Sequence, residues 1–194
     1  MNEPAFIVAS ASPRRRELLA QAGFRFRVEP SDADETLPDS CPPEKAVALL
    51  SERKALAVSV LHPGAVVLGC DTIVALDGKM LGKPQTEDEA AAMLRTLSGN
   101  THTVYTGVCI TNGARTERFV SATNVTFYPL KDETIRAYVS TGEPMDKAGA
   151  YGIQGLGSVL VKGFFGDYFT VVGLPLAECA RALACFGVHG AVPV

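Results

Sequence analysis

The sequence predicts a single α/β domain with a mixed sheet, spanning residues 1–194. Three features predict it. Residues 65–70 form an unbroken apolar-to-small run of strand length, the pattern of a strand buried on both faces. Two long segments rich in Val, Thr and Phe, 103–111 and 116–127, meet at Asn112-Gly113, a strong signal for an antiparallel hairpin. Capped helical segments interleave with these strands, and no linker, repeat or low-complexity stretch separates them.

The elements follow in order. Phe6-Ile7-Val8-Ala9 is a short strand that runs into Ser10-Ala11-Ser12-Pro13. Ser12 is placed to cap a helix and Pro13 to start it; Leu18, Leu19 and Ala22 form its buried stripe, and Gly23 stops it. Phe24, Phe26 and Val28 alternate with Arg as a half-buried strand. Residues 29–43 are acidic and contain Pro, so a mobile loop is expected, followed by a helix over 44–61. Past residue 70 the strand continues through Ile73-Val74-Ala75-Leu76, and Asp77-Gly78 suits a type I′ turn. Thr86-Glu87-Asp88-Glu89 reads as a capping box opening a helix that ends at Gly99. Asp132 is expected to cap a helix closing at Gly142; strands are expected at 158–162 and 168–172, with a last helix from about Pro175.

Composition narrows the function. With 18 Lys+Arg against 21 Asp+Glu, a formal charge of −3, 47% hydrophobic and 20% charged residues, the chain reads as globular rather than disordered. A mild acidic excess argues against coating nucleic acid. No apolar run approaches the ~18–20 residues of a membrane helix, and Met1-Asn2-Glu3-Pro4 lacks the start of a secretory signal. Five cysteines without a C-x-x-C pair fit neither a disulfide framework nor a zinc ribbon, so a reduced cytoplasmic compartment is expected.

Three local choices stand out. Arg14, Arg15 and Arg16 occupy the first turn of the first helix, where the macrodipole disfavours cations by about 0.3–1 kcal/mol each. Either three solvated arginines tolerate that penalty, or an anion binds where N–H groups and guanidinium forks converge. On the second reading, Arg15→Ala slightly stabilises the ligand-free protein. Lys54 falls inside the apolar arc of Val47, Leu50, Ala57 and Leu61; it either snorkels to the rim or points into a polar cleft. Asp71 follows the buried strand, so its carboxylate is expected to emerge at a strand's carboxyl end, where α/β ligand crevices form, or to serve as a cap or turn acceptor. Lys83 sits in a constrained loop between Gly82 and Pro84, and Glu35 in the acidic loop. Residues 78–84 have the wrong Gly spacing for a phosphate loop, and the glycines at 149–157 never form G-x-G-x-x-G. Histidines 62, 102 and 189 are scattered and G-x-S-x-G is absent, leaving hard oxygen ligands and hence Mg²⁺ or Mn²⁺ as the metal a site would take.

Together, Ser10-Ala11-Ser12-Pro13-Arg14-Arg15, Gly69-Cys70-Asp71-Thr72-Ile73-Val74 and Gly82-Lys83-Pro84 form a recognisable series. Leu97-Ser98-Gly99 with His102, Asp146-Lys147-Ala148-Gly149-Ala150-Tyr151-Gly152-Ile153-Gln154-Gly155 and Val172-Gly173-Leu174-Pro175-Leu176 continue it. Over residues 7–183 this series resembles the Maf-like nucleoside triphosphate pyrophosphatases. The resemblance implies an elongated α/β fold like that of the inosine triphosphate pyrophosphatases, with helices on both sides of a twisted mixed sheet and a central cleft. It also implies a homodimer, a divalent metal, and hydrolysis of a nucleoside triphosphate to monophosphate and pyrophosphate.

Residue by residue, the resemblance makes Asp71 the catalytic carboxylate and proton acceptor. Glu35, Lys54 and Lys83 then line the cleft, and Ser10 and Arg15 lie in a phosphate-binding turn. Arg14, Thr72 and Gln154 match positions associated with base selectivity, and Thr72 with Gln154 resembles the branch acting on dTTP and UTP rather than on 7-methyl-GTP. Asp71 and Glu35 are the implied metal ligands. A second implied role, in a different class, is a nucleotide-binding regulator of septum formation.

Overall fold

The computed structural model describes residues 4–194; the reading of Met1-Asn2-Glu3 lies outside them. In chain order the elements are β1 (Phe6–Val8), α1 (Pro13–Gln21), β2 (Arg27–Val28), α2 (Pro43–Ser59), β3 (Val66–Leu76) and β4 (Lys79–Leu81). They continue as α3 (Glu87–Leu97), β5 (Thr101–Thr111), β6 (Thr116–Phe127), α4 (Asp132–Val139), β7 (Val161–Phe165), α5 (Tyr168–Val172) and α6 (Leu176–Ala184). The strands form one mixed sheet ordered β2-β1-β3-β5-β6-β7, with β4 paired to β3. β1 runs parallel to both neighbours, Ile7 opposite Arg27 and Val67, whereas β3–β4 and β6–β7 are antiparallel. The α/β class with a mixed sheet is therefore as the sequence predicts.

Two compact units are distinguishable. The first comprises the described residues up to Asp71 with Thr106–Ser121 and Gly173–Val194; the second comprises Thr72–Tyr105 and Ala122–Val172.

In the first unit, β1 and the start of β3 are fully buried, as a parallel strand pair requires. Phe24 and Phe26, two residues apart, both pack edge-on against Phe6 at 6.2 Å, but Val28 is exposed and the ladder itself is only Arg27–Val28, so only the two phenylalanines follow the alternation read from the sequence. Helix α2 lies directly on the strands because two glycines admit it. A Cβ on Gly69 would stand 2.2 Å from the Ser51 carbonyl oxygen and 2.5 Å from the Ala55 nitrogen, and one on Gly107 would stand 2.3 Å from the Val47 carbonyl oxygen. Helix backbone touches strand backbone, so no larger residue fits without moving the helix. Gly69→Ala is accordingly expected to destabilise the fold by at least the ~1–3 kcal/mol of an overpacked core, read as a lower melting temperature. An unchanged melting temperature would mean that α2 and β3 do not meet there.

In the second unit, Asp77 and Gly78 both have positive φ (+50° and +78°), giving the expected type I′ hairpin. Thr86 caps α3, its Oγ1 accepting the Glu89 N–H at 3.2 Å. Glu89 returns its bond to the N–H of Gln85, one residue earlier than a capping box implies.

Two expected strands are corrected. Residues 168–172 form α5, because Asp167 Oδ2 accepts both the Thr170 N–H (2.7 Å) and the Thr170 hydroxyl (2.8 Å), a cap that overrides the strand-like Tyr-Phe-Thr-Val-Val. Residues 155–160 form a 3-10 turn, and the strand begins only at Val161, with a register shift opposite Thr126/Phe127.

The core of this unit holds His102, 1% exposed, in edge-on contact with Phe127 (5.1 Å) and Tyr151 (5.2 Å). Its Nε2 shares a 2.8 Å hydrogen bond with Tyr151 Oη, while Nδ1 has no partner among the described residues. Burial pushes its pKa down from 6.5 to about 4. The unfolded chain therefore takes a proton that the folded chain refuses between those values, and stability falls as pH drops through that window, by about 3 kcal/mol at most. The wild-type melting temperature is expected to decline more steeply than that of His102→Gln between about pH 6.5 and 4; parallel profiles would contradict this.

Candidate active site

Gly69 fixes the position of the site. Asp71, two residues further along β3, shares its face of the strand. Lys54 stands beside Ala55 and three residues after Ser51, the two residues that Gly69 abuts, so it lies on the same side of α2. Lys54 Nζ consequently donates to Asp71 Oδ1 at 2.5 Å and lies 2.9 Å from Glu35 Oε1. The side chains of Lys54 and Asp71 are 14% and 15% exposed, that of Glu35 63%. Burial alone would lower the Lys54 pKa, but the neighbouring carboxylates of Asp71 and Glu35 outweigh it and hold the ammonium above its ordinary value. Lys54 thus points to a polar cluster instead of snorkelling to solvent.

Asp71 is not at a strand end, contrary to the sequence reading. It is the sixth of eleven residues in β3, at the point where the fully buried run gives way to three half-buried positions. The acidic loop, expected to be mobile, is tied down beside the cluster. Arg53 Nη1 donates to the carbonyls of Asp34 (2.9 Å) and Thr36 (2.6 Å), and the Thr36 N–H donates to Asp34 Oδ1 at 2.9 Å. These bonds bracket Glu35 and bring it to Lys54. Sequence reasoning missed Arg53; its only signal was adjacency to Lys54.

The arginine turn differs from its expected form. Ser12 begins α1 without a side-chain capping bond, and its N–H donates to Ser10 Oγ at 3.3 Å. Arg15 is 9% exposed; its Nε donates to the Gly173 carbonyl (2.8 Å) and its Nη1 to Ser10 Oγ (2.9 Å). The same carbonyl accepts the Cys70 thiol at 3.3 Å, immediately before Asp71. Arg15 therefore ties the residues after β1 to those before α6, and the expected stabilisation by Arg15→Ala is overturned. Removing the guanidinium leaves buried acceptors poorly matched, so the variant is expected to melt lower, at a cost of about 1–3 kcal/mol. A melting temperature at or above wild type would restore the dipole-repulsion reading. Arg14 is half-buried and Arg16 exposed.

Glu35, Lys54 and Asp71 are thus brought together in the first unit, as are Ser10 and Arg15. Thr72, Lys83 and Gln154 belong to the second unit. Thr72 is half-buried on β3, and Lys83 and Gln154 are exposed. The Gly149 N–H donates to the Gly82 carbonyl at 3.0 Å, joining the Lys83 loop to the glycine-rich segment.

The chain is similar to known proteins over nearly its whole length. The family model described as "Maf-like protein" matches residues 5–186. A dTTP/UTP pyrophosphatase of Moorella thermoacetica is 53% identical over 184 residues, covering 94% of this chain and 95% of that protein. Similar proteins of the same description occur in Geobacillus sp. (51% over 181 residues, 93% and 97% covered) and Bacillus pumilus (50% over 182 residues, 94% and 96% covered). With the match running through every segment that builds the Lys54 cluster and the arginine turn, this chain belongs to the Maf-like protein family.

Proposed function

We propose that this chain is a nucleoside triphosphate pyrophosphatase that hydrolyses dTTP and UTP to the monophosphate and pyrophosphate. The observation that carries the reading is the ion-paired cluster of Glu35, Lys54 and Asp71, with an ammonium held 2.5 Å from one carboxylate and 2.9 Å from the other. A triphosphate anhydride needs cations to neutralise its oxygens and a carboxylate to accept the proton of an attacking water. Lys54 and Lys83 serve the first need. Asp71, oriented by Lys54, serves the second, and no covalent nucleophile is required. Water attacks the α-phosphorus, its proton passes to Asp71, and pyrophosphate leaves. Arg14, Thr72 and Gln154 select the base; Ser10 lies in the phosphate-binding turn and Arg15 holds that turn in shape.

The donor chemistry fits a divalent cation. Asp71 and Glu35 each bond the Lys54 ammonium through one oxygen, which leaves the second oxygen of each carboxylate as a hard donor. Mg²⁺ or Mn²⁺ is characteristically held by one or two carboxylates together with substrate phosphates and water. Asp71 and Glu35 would hold it, and when bound it would neutralise charge on the phosphate oxygens. No group of three or more His, Cys, Asp or Glu suited to a metal ion occurs among the described residues.

The same reading takes the enzyme to be a cytoplasmic homodimer acting on free nucleotides rather than on nucleic acid or a membrane. No helix among the described residues is long and apolar enough to cross a membrane.

Incubating the purified protein with dTTP, UTP, CTP, GTP or ATP and Mg²⁺ or Mn²⁺, with pyrophosphate assayed, tests the proposal. Release from dTTP and UTP above the other nucleotides is expected. No release above a no-protein blank would overturn it and favour a non-catalytic nucleotide-binding regulator.

A further inference from the structure

The glycine-rich segment 149–157 fits no phosphate-loop pattern, and two side chains outside the predicted site account for two of its four glycines. Glu143 opens a short 3-10 turn (Glu143–Asp146) and accepts three hydrogen bonds. Its Oε2 takes the Leu156 N–H at 2.9 Å, and its Oε1 takes the Gly157 N–H at 3.0 Å and the Tyr138 hydroxyl at 2.9 Å. That hydroxyl, carried by a buried ring on α4, accepts the Gly152 N–H at 3.2 Å.

The glycines at 155 and 157 follow from this clamp. A Cβ on Gly155, whose φ is +68°, would stand 2.8 Å from Glu143 Oε2. One on Gly157 would stand 2.6 Å from Tyr138 Oη and 2.4 Å from the Gly152 carbonyl oxygen. Burial raises the pKa of Glu143, but the N–H groups of Gly157 and Leu156 and the Tyr138 hydroxyl outweigh it, leaving the group below its ordinary value and ionised at neutral pH. The hydrogen bond between Tyr151 and His102 anchors the same segment one residue before Gly152. Gln154, exposed, lies midway between the N–H groups held at 152 and 156.

We propose that Glu143 and Tyr138 are positioning residues for substrate selectivity: together they fix the backbone on both sides of Gln154 and so set where its amide meets the nucleotide base. The proposal rests on the reading of Gln154 as a base-recognising residue. A carboxamide can present its donor and acceptor in either order by turning over. Telling uracil and thymine from cytosine therefore requires that the amide reach the base edge at hydrogen-bond distance, and the backbone position at Gln154 sets that reach.

The test measures kcat and KM for dTTP, UTP and dCTP in Tyr138→Phe, Glu143→Gln and Gln154→Ala, with melting curves for each. Tyr138→Phe keeps the buried ring and deletes both hydroxyl bonds, so it carries the test even if Glu143→Gln fails to fold. Expected is a KM for dTTP raised ~10-fold with kcat within ~3-fold, and a dTTP-over-dCTP ratio of kcat/KM lowered ~10-fold, towards that of Gln154→Ala. Combining Tyr138→Phe with Gln154→Ala should add little to either alone, since the two act through one contact. Lower melting temperatures with wild-type KM and a wild-type ratio, while Gln154→Ala loses the ratio, would reduce the clamp to a structural element and overturn the proposal. A wild-type ratio in Gln154→Ala would instead overturn the base-recognition reading beneath it, and the proposal with it.

Discussion

Replacing Asp71 with Asn is expected to lower turnover by ~10²–10⁴ while keeping nucleotide affinity within about tenfold, the range for losing a general base. The amide preserves the volume of a side chain that is only 15% exposed, so the strand and the helix above it stay in place. What it loses is the capacity to take a proton from water and one charge of the ion pair with Lys54. Steady-state kinetics, with binding of a non-hydrolysable dTTP analogue measured separately, distinguish the two contributions. Near-normal turnover would remove Asp71 from the chemistry.

Lys54→Met is expected to reduce both stability and activity. The ammonium stands between two carboxylates, and one of them, Asp71, is only 15% exposed. Deleting it leaves like charges facing one another beside the core. Breaking a fully buried pair costs 3–5 kcal/mol; because Glu35 is mostly exposed, about 2–3 kcal/mol is expected here. The sign of the pH dependence follows from the raised Lys54 pKa. Its stabilisation is fully present below the ordinary lysine value of 10.5 and is lost as pH rises through the folded value. At pH 7 the deficit of the variant is therefore complete, and it narrows in alkali as pH rises through the folded lysine value. Turnover is expected to fall ~10²-fold through loss of a charge at the phosphates. Denaturant titrations at pH 7, alongside kinetics, check this; wild-type stability at pH 7 would mean the cluster carries no net interaction.

Much of this arrangement was legible in the sequence, for identifiable reasons. The apolar run at 65–70 could only be a buried strand, and the helical arc placed Lys54 on the core side of α2, because burial and periodicity are local properties of the chain. What the sequence withheld depended on partners far along it. Gly69 looks like any other strand glycine until the backbone of α2 is laid on it, so the meeting of Lys54 with Asp71 could not be read directly. Arg15 sat against the helix dipole, yet its guanidinium was matched by a carbonyl at Gly173, and donors satisfied by distant backbone leave no motif. Arg53 and Glu143 were passed over for the same reason: each works by bonding backbone groups of a loop whose own residues attracted attention. At 168–172 the β-branched and aromatic residues outvoted Asp167, although a single cap was enough to set the helix.

The most direct test of a pyrophosphatase mechanism centred on Asp71 is hydrolysis of dTTP in ¹⁸O-labelled water, with both products identified by mass. Attack at the α-phosphorus predicts labelled dTMP and unlabelled pyrophosphate, formed by the wild type and suppressed in Asp71→Asn. Label in pyrophosphate would place the attack on the β-phosphorus. Orthophosphate with dTDP would show a different bond being cut, and either result would contradict the mechanism.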